Sequence, residues 1–207
     1  MIPRAEVEMW VDDPAGAPGL PAPEEAAGAG FADENWQYDP SLLLATWEDA
    51  ASALELELQQ VSRADQAAVT AGEFEAMLDD GLDFDELAIL WGLDVGAAAA
   101  TMVLVAAGCV TTSSCRGHVG AYVGGAKSFP RVRFLADVPR ATVIRDAAVA
   151  AGCAFGVGPK IVEVFTASVV ELLAFAGEML SRRPLFDAMP KPDYRVQAIL
   201  DGEFDEE

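Results

Sequence analysis

Hydrophobic positions in the first half of the chain recur at mostly three- and four-residue spacing, which is the period of one face of an α-helix. The pattern predicts a helix that begins at Asp39 or Ser41 and has its apolar positions between 42 and 61. Further helical segments are predicted at about 65–80 and 83–91. The stretch 95–107 is apolar at almost every position, so we expect a helix that is covered on all sides. Asp94 is placed to cap that helix and Gly108 to end it.

Beyond Gly108 the pattern changes to short runs of β-branched and apolar residues, which are typical of strands. Helix signals separate these runs: Asp137 and Pro139 can begin a helix that Gly152 ends, and Ser168 can cap another over 169–180. Charged and apolar residues alternate in the third run, as they do in a strand with one buried face. The strands are predicted at 110–115, 119–123, 131–134, 153–157 and 160–166.

The order of these elements indicates an α/β (α+β) protein with a mixed sheet and packed helices. Residues 1–40 are rich in Pro, Gly, Ala and acidic residues, a composition that does not build a core, so we expect an acidic flexible arm. Trp10 and Trp36 are exceptions, and either could dock on the folded part. The arm is followed by a helical segment at 41–92 and an α/β core domain at 93–183. A loosely attached acidic C-terminal tail follows at 184–207.

Composition narrows the class of protein. With 207 residues, 52% of them apolar, the chain can bury one core of ordinary size. No apolar run reaches the roughly 18–20 residues of a bilayer span, and the first residues lack the pattern of a secretory signal. Three cysteines cannot all pair with one another, which favours free thiols in a reducing compartment. We therefore expect a soluble cytoplasmic protein without a membrane partner, and the abundance of Ala and Gly is typical of a bacterium with a GC-rich genome.

The net charge of −21 is unevenly distributed along the chain. Residues 1–100 contain 22 acidic and two basic side chains, whereas 116–145 contain six basic side chains and one acidic one. The acidic half is suited to a basic protein partner. The basic stretch is suited to a small anionic or nucleotide-like ligand or to RNA, since Arg131 and Arg133 share one face of their predicted strand. An ordinary solvated face with local ion pairs fits the same residues.

The segment 111–118, Thr-Thr-Ser-Ser-Cys-Arg-Gly-His, holds the most distinctive candidate chemistry. Small hydroxyl side chains and a glycine let a ligand approach the backbone, and the arginine supplies donors for a phosphate or carboxylate. His118, the one histidine, can transfer protons near neutral pH, and Cys115 is a nucleophile if a neighbouring cation lowers its pKa. These two are the candidate catalytic residues. The candidate ligand-binding residues are Thr112, Ser113, Ser114, Arg116, Gly117, Arg131 and Arg133.

Each of these residues also has an ordinary structural explanation. A strand that ends in Thr and Ser is common, and a cysteine on such a strand is usually a small buried apolar group. On this basis Cys115 is expected to be partly buried, with ordinary or slow reactivity. A metal site is not predicted, because Cys115 and His118 provide two ligands where a structural zinc site uses four. The sequence contains no glycine-rich nucleotide-binding motif and no Gly-x-Ser-x-Gly.

The motif Thr-Thr-Ser-Ser-Cys-x-Gly, at 111–117, resembles the Thr-Thr-Ser-Ser-Cys-Ser-Gly-Arg motif of the wybutosine-synthesis tRNA methyltransferases. The resemblance covers about 93–180, where the order of helices and strands around the motif is also similar. It implies S-adenosylmethionine as the cofactor and a tricyclic guanosine derivative in tRNA as the substrate. The chain departs from the family motif at Arg116 and His118, where the family has Ser and Arg.

The sequence thus supports two hypotheses from different functional classes. In the first, the chain is a binding or transferase domain for a nucleotide-like or RNA-derived ligand, with its site centred on 113–118. In the second, it is a non-enzymatic regulatory or interaction protein whose acidic helical half binds a basic partner.

Overall fold

A computed structural model of the chain describes residues 2–22, 26, 40–118, 122–123 and 126–194. Two short 3-10 helices, Pro14–Gly16 and Pro40–Leu44, precede the longer elements. The described residues contain seven α-helices: α1 (Trp47–Ala67), α2 (Ala71–Asp80), α3 (Phe84–Ile89), α4 (Ala98–Ala106), α5 (Val138–Ala150), α6 (Val169–Ser181) and α7 (Arg183–Asp187).

The strands are β1 (Val110–Arg116), β2 (Tyr122–Val123), β3 (Ala126–Lys127), β4 (Pro130–Leu135), β5 (Ala154–Val157) and β6 (Val162–Phe165). Four of them form one sheet in the order β1-β4-β6-β5, and β2 and β3 form a separate pair. All pairs within the four-stranded sheet are antiparallel, where the expectation was a mixed sheet. The predicted α/β class is confirmed. Of the predicted strand 119–123, the structure describes only β2, since 119–121 lie outside the described residues.

One hydrophobic cluster joins the helices to one face of the sheet. The helix α4 is buried throughout, as its uniformly apolar sequence predicts, and it packs against both α1 and α6. The inner sheet face adds side chains from three strands, including Val132, Phe134 and Val164. Because α1 and α2 also belong to this cluster, the predicted helical segment 41–92 and the predicted core 93–183 share a single core.

Residues 2–22 are attached to the folded part at several points, although their composition predicts a flexible arm. Val11 forms a parallel bridge with Phe155 of β5, and Asp12 N–H donates to Phe155 O at 2.8 Å. The indole of Trp10 lies against the ring of Phe165, with centroids 4.4 Å apart. These contacts attach the described start of the chain to β5 and cover part of the outer sheet face. The rest of the predicted arm, apart from Ala26 and Pro40, lies outside the described residues.

The described part of the C-terminal tail, 184–194, is also attached to the core. Phe186 is buried against Trp47, with ring centroids 5.8 Å apart. The hydroxyl of Tyr194 donates to Gly108 O at 2.9 Å, and the buried guanidinium of Arg140 donates to Pro190 O. The C-terminal tail, which the sequence predicts to be loosely attached, is therefore anchored up to Tyr194.

The start of α4 differs from its sequence-based prediction. Ala97 occupies the N-cap position without a side-chain hydrogen bond, and Asp94 contributes only its backbone carbonyl. The cap comes instead from Glu57 on α1, whose carboxylate is completely buried. It accepts the backbone N–H groups of Gly96, Ala98 and Ala99 at 2.6, 3.0 and 2.9 Å. Burial raises the pKa of Glu57 to about 7, while these N–H donors act in the opposite direction.

In the described part of the chain, no helix is both long enough and apolar enough to cross a membrane.

Candidate active site

The distinctive segment 111–118 forms β1 and the residues directly after it. A bulge at Thr112 interrupts the pairing with β4, and beyond it Ser113 faces Arg133 and Cys115 faces Arg131 across the ladder. Directly opposed residues in an antiparallel pair project to the same side of the sheet. Cys115 and Arg131 therefore share the outer face, away from the helices.

The chain reverses immediately after β1. Gly117 has a φ of +75°, and a Cβ at this position would lie 2.9 Å from the backbone of Phe129. Only glycine fits both requirements without strain. The reversal places Gly117 N–H 3.3 Å from the sulfur of Cys115, and Ser128 Oγ lies 3.5 Å from the same sulfur.

The reversal also brings the imidazole of His118 back towards Cys115, where the two groups influence each other's ionisation. The Nδ1 atom of His118 lies 3.1 Å from Oε1 of Glu75 on α2. The ring is 41% exposed and the Glu75 side chain 19%, so the cluster is open to solvent on the side of the histidine. A thiol, an imidazole and a carboxylate thus lie in one cluster, the combination of groups that cysteine nucleophiles use elsewhere.

The surroundings of Cys115 favour its ionised form. Burial raises the pKa of the thiol, but the hydrogen bonds from His118, Ser128 and Gly117 and the charge of His118 together outweigh it, so the pKa lies below its ordinary value. The hydrogen bond to Cys115 and the charge of the thiolate raise the pKa of His118 against the effect of burial. Both are the directions in which contact between a thiolate and an imidazolium shifts the two pKa values. The ordinary or slow reactivity of Cys115 was expected from the sequence alone, which does not show these contacts.

The other two cysteines lack such an environment. Burial raises the pKa of Cys153 to about 12, and Cys109 is completely buried with its pKa raised for the same reason. Neither is in a disulfide. Of the three thiols in the chain, Cys115 is the one whose surroundings lower its pKa.

Arg116, predicted as a donor to an anionic ligand, lies on the inner face of the sheet. Its side chain is 3% exposed, and its guanidinium is ion-paired with Asp79 on α2. Asp79 is one helical turn from Glu75, so α2 holds both basic residues that flank Gly117. The guanidinium of Arg116 is therefore engaged within the protein, where it braces the turn after β1.

The remaining predicted ligand-binding residues divide between the two faces of the sheet. Ser113 lies on the outer face and Ser114 on the inner face, opposite Val132, and both are half-buried. Thr112 is buried in the bulge, and its hydroxyl has no hydrogen-bond partner among the described residues. The segment thus contributes Ser113 and Cys115 to the outer face rather than one continuous ligand-binding surface.

The basic stretch contains many internal ion pairs. Arg131 and Arg133 share Glu163 of β6, at Nε–Oε1 distances of 3.8 and 3.1 Å. The guanidinium of Arg131 also lies over the ring of Phe129, 5.4 Å from its centroid. Arg140 and Arg145, on α5, pair with the adjacent acids Asp137 and Asp146.

The sequence did not reveal Glu75, Asp79 or Ser128 as neighbours of the motif. Glu75 is 43 residues from His118, and Asp79 is 37 residues from Arg116. The one available signal was their separation of four residues, which puts both acids on one face of α2. That spacing is common on solvated helices, so it predicts no particular contact.

No protein-family model, curated protein or solved structure matches this chain. Among the residues that the structure describes, no three His, Cys, Asp or Glu side chains are grouped so that they could hold a metal ion.

Proposed function

We propose that the chain is a thiol-dependent group-transfer enzyme in which Cys115 is the nucleophile. His118 is the general acid and base, and Glu75 positions the imidazole. The proposal is supported by one cluster: the imidazole of His118 lies against the carboxylate of Glu75, and the surroundings lower the pKa of the Cys115 thiol and raise that of the imidazole. A nucleophilic cysteine needs a stable thiolate at neutral pH, and an adjacent imidazolium provides it.

The simplest reaction is transfer of an acyl group. The Cys115 thiolate attacks the carbonyl carbon of an ester or thioester, so that a carbon–sulfur bond forms and the bond to the leaving group breaks. The imidazolium of His118 gives its proton to the leaving oxygen or sulfur. In the second half, an acceptor hydroxyl, amine or water attacks the thioester and loses its proton to the neutral imidazole. The sulfur leaves as the thiolate, which restores the original pair.

A transferase is also what the resemblance to the wybutosine-synthesis methyltransferases implies, with S-adenosylmethionine and a nucleotide-like or RNA-derived ligand. That hypothesis uses Arg116 as the main anion donor, and its guanidinium is engaged by Asp79. Cys115 and His118 are common to both hypotheses. We therefore base the proposed function on the thiol and leave the methyl-transfer reaction as a prediction of the motif.

An acyl-enzyme adduct tests the proposed function. We expect p-nitrophenyl acetate and related esters to acylate the protein once, at Cys115, as seen by intact mass and peptide mapping. The variant Cys115→Ala should form no adduct, and Cys153→Ala should react as the wild type does, since Cys153 is buried. Acylation distributed over lysines, or retained in Cys115→Ala, would rule out a nucleophilic role for this thiol.

A second function, docking of a basic partner, is favoured by the surface of α3. This helix has no buried residue, and its apolar side chains Phe84, Leu87 and Ile89 are 84%, 42% and 41% exposed. Exposed apolar groups with an acidic border suit a segment that is both basic and amphipathic. The acidic residues on the helix and at its N-cap are Asp83, Asp85 and Glu86.

Binding of an amphipathic Lys/Leu peptide tests this docking function. Phe84→Ser should weaken binding by about fivefold or more, and added salt should weaken it further. Val149→Ser is the matched control, because Val149 is also exposed, at 53%, but lies on α5. Equal affinities for the two variants would exclude α3 as the docking surface.

A further inference from the structure

We infer that the group transferred to Cys115 carries a carboxylate close to its reacting carbon, and that Arg131 binds this carboxylate. The inference rests on the proposed function and adds the substrate class to it. Arg131 is then the specificity-determining residue of the site.

The strand register places Arg131 beside the nucleophile. Cys115 and Arg131 are directly opposed in the β1–β4 ladder, and both project to the outer face. The Cβ atoms of such a pair are typically about 4.5–5.5 Å apart. An arginine side chain is long enough to span a small acyl group bound to the opposite sulfur. No other arginine is opposed to Cys115 in the described ladder.

The guanidinium of Arg131 retains donors for a substrate. Its Nε lies 3.8 Å from Glu163, at the outer limit of an ion pair, whereas Arg133 makes a hydrogen bond of 3.1 Å to the same oxygen. A guanidinium has five N–H donors, so this long contact leaves most of them for a ligand. Its Cζ lies over the ring of Phe129, 5.4 Å from the centroid, a contact that favours this position of the guanidinium. A guanidinium is a planar fork that can bind a carboxylate through two parallel hydrogen bonds.

The local charge also favours an anion at this position. Glu163 is one carboxylate shared by two guanidiniums, which leaves the outer face beside Cys115 with a positive excess. The chain as a whole has a net charge of −21, so its general field disfavours anions. Among the described residues, the other charged groups that act on this cluster include Glu75, which pairs with His118, and Asp94, while the Arg116–Asp79 pair lies on the inner face.

Aromatic side chains limit the space available to the substrate. Trp10 and Phe129 both pack on Phe165, with ring centroids 4.4 and 5.6 Å from it, and cover the outer face over β6. Arg131, whose side chain is 24% exposed, lies beside this cover. The thiol and the guanidinium therefore share the part of the outer face that borders β1, which suits a small anionic acyl group.

Two alkylating agents of nearly the same size provide the test. Iodoacetate carries a carboxylate next to the reacting carbon and iodoacetamide carries a neutral amide, and with either reagent the thiolate sulfur displaces iodide. We expect the ratio of the iodoacetate to the iodoacetamide rate at Cys115 to fall about tenfold in Arg131→Leu. The ratio should change less than about twofold in the control Arg145→Leu, because Arg145 lies on α5 and pairs with Asp146. Arg131→Lys should recover part of the ratio.

Wild-type protein gives a second measurement that needs no variant. If Arg131 attracts the carboxylate, added NaCl slows labelling by iodoacetate and leaves labelling by iodoacetamide almost unchanged. A Cys115 that reacts well with both reagents but shows the same ratio in Arg131→Leu, with no effect of salt, would overturn the inference and leave the proposed function standing. A Cys115 that reacts with neither reagent would overturn the proposed function itself.

Discussion

Replacement of His118 by Gln should slow the alkylation of Cys115 by iodoacetamide about tenfold at pH 7. The imidazole supplies a hydrogen bond and a positive charge that lower the pKa of the thiol, and without them the effect of burial raises it. Each unit of increase in pKa reduces the thiolate fraction about tenfold below the pKa, and the greater nucleophilicity of the more basic thiolate restores about half of that loss on a logarithmic scale. The rate is measured by mass spectrometry of the Cys115 peptide.

Two further variants separate the role of His118 from a general structural effect. Ser128→Ala removes one hydrogen bond from the sulfur, so we expect a smaller decrease in the same direction. Glu75→Gln keeps the shape of the side chain and removes its charge, and should raise the pH midpoint of the reaction without unfolding the protein. An unchanged rate and midpoint in His118→Gln would show that the imidazole does not activate the thiol.

Replacement of Glu57 by Ala should lower the free energy of unfolding by about 3 kcal/mol. The substitution leaves buried N–H groups at the start of α4 without an acceptor, and each unsatisfied group costs about 1–3 kcal/mol, offset in part because a buried carboxylate is removed. Thermal or urea unfolding at pH 7 measures the change. Glu55→Ala on the same helix is the control, since Glu55 is exposed and should change stability by less than about 0.5 kcal/mol. Similar stabilities of the two variants would contradict the capping role.

The same carboxylate makes stability depend on pH. Because the folded pKa of Glu57, about 7, lies above its ordinary value of 4.5, the folded state binds this proton more tightly than the unfolded state. The contribution of Glu57 to stability is complete below about pH 4.5 and is lost as the pH rises through 7, by an amount on the order of 3 kcal/mol. In unfolding measurements at several pH values, Glu57→Gln should remove this dependence of the free energy of unfolding on pH. If the dependence persisted in the variant, another group would be responsible.

Local signals were sufficient to locate most of the elements. Asp137, Pro139 and Gly152 mark α5 within two residues of its observed ends, because caps and helix-ending glycines act over a few residues. The same local logic assigned Asp94 as the cap of α4, where the acceptor is Glu57, 39 residues away from Gly96. Composition predicted a flexible arm at the N-terminus, because composition alone does not show whether Trp10 packs on Phe165. Strand order and the attachment of residues 2–22 depend on contacts between residues that are far apart along the chain.

The candidate site was only partly visible in the sequence. The clustering of Cys115, Gly117 and His118 was evident, because these residues are close along the chain and chemically unusual. Their partners Glu75 and Ser128 belong to common residue types, and tertiary structure alone brings them together. Arg116 was expected to face a ligand, but alternation along β1 directs it inward, towards Asp79. Spacing along the chain predicted where the reactive side chains lie. The face of the sheet to which each side chain projects determines which of them belong to the candidate site.

The pH dependence of iodoacetamide labelling at Cys115 tests the central claim most directly. The measurement follows the rate of modification of each cysteine peptide in the intact folded protein between about pH 5 and 10. We predict that Cys115 reacts with a midpoint below the free-thiol value of about 8.5, while Cys109 and Cys153, both buried, remain unmodified. A midpoint at or above that value, or labelling of Cys115 no faster than that of the two buried thiols, would contradict the assignment of Cys115 as an activated nucleophile.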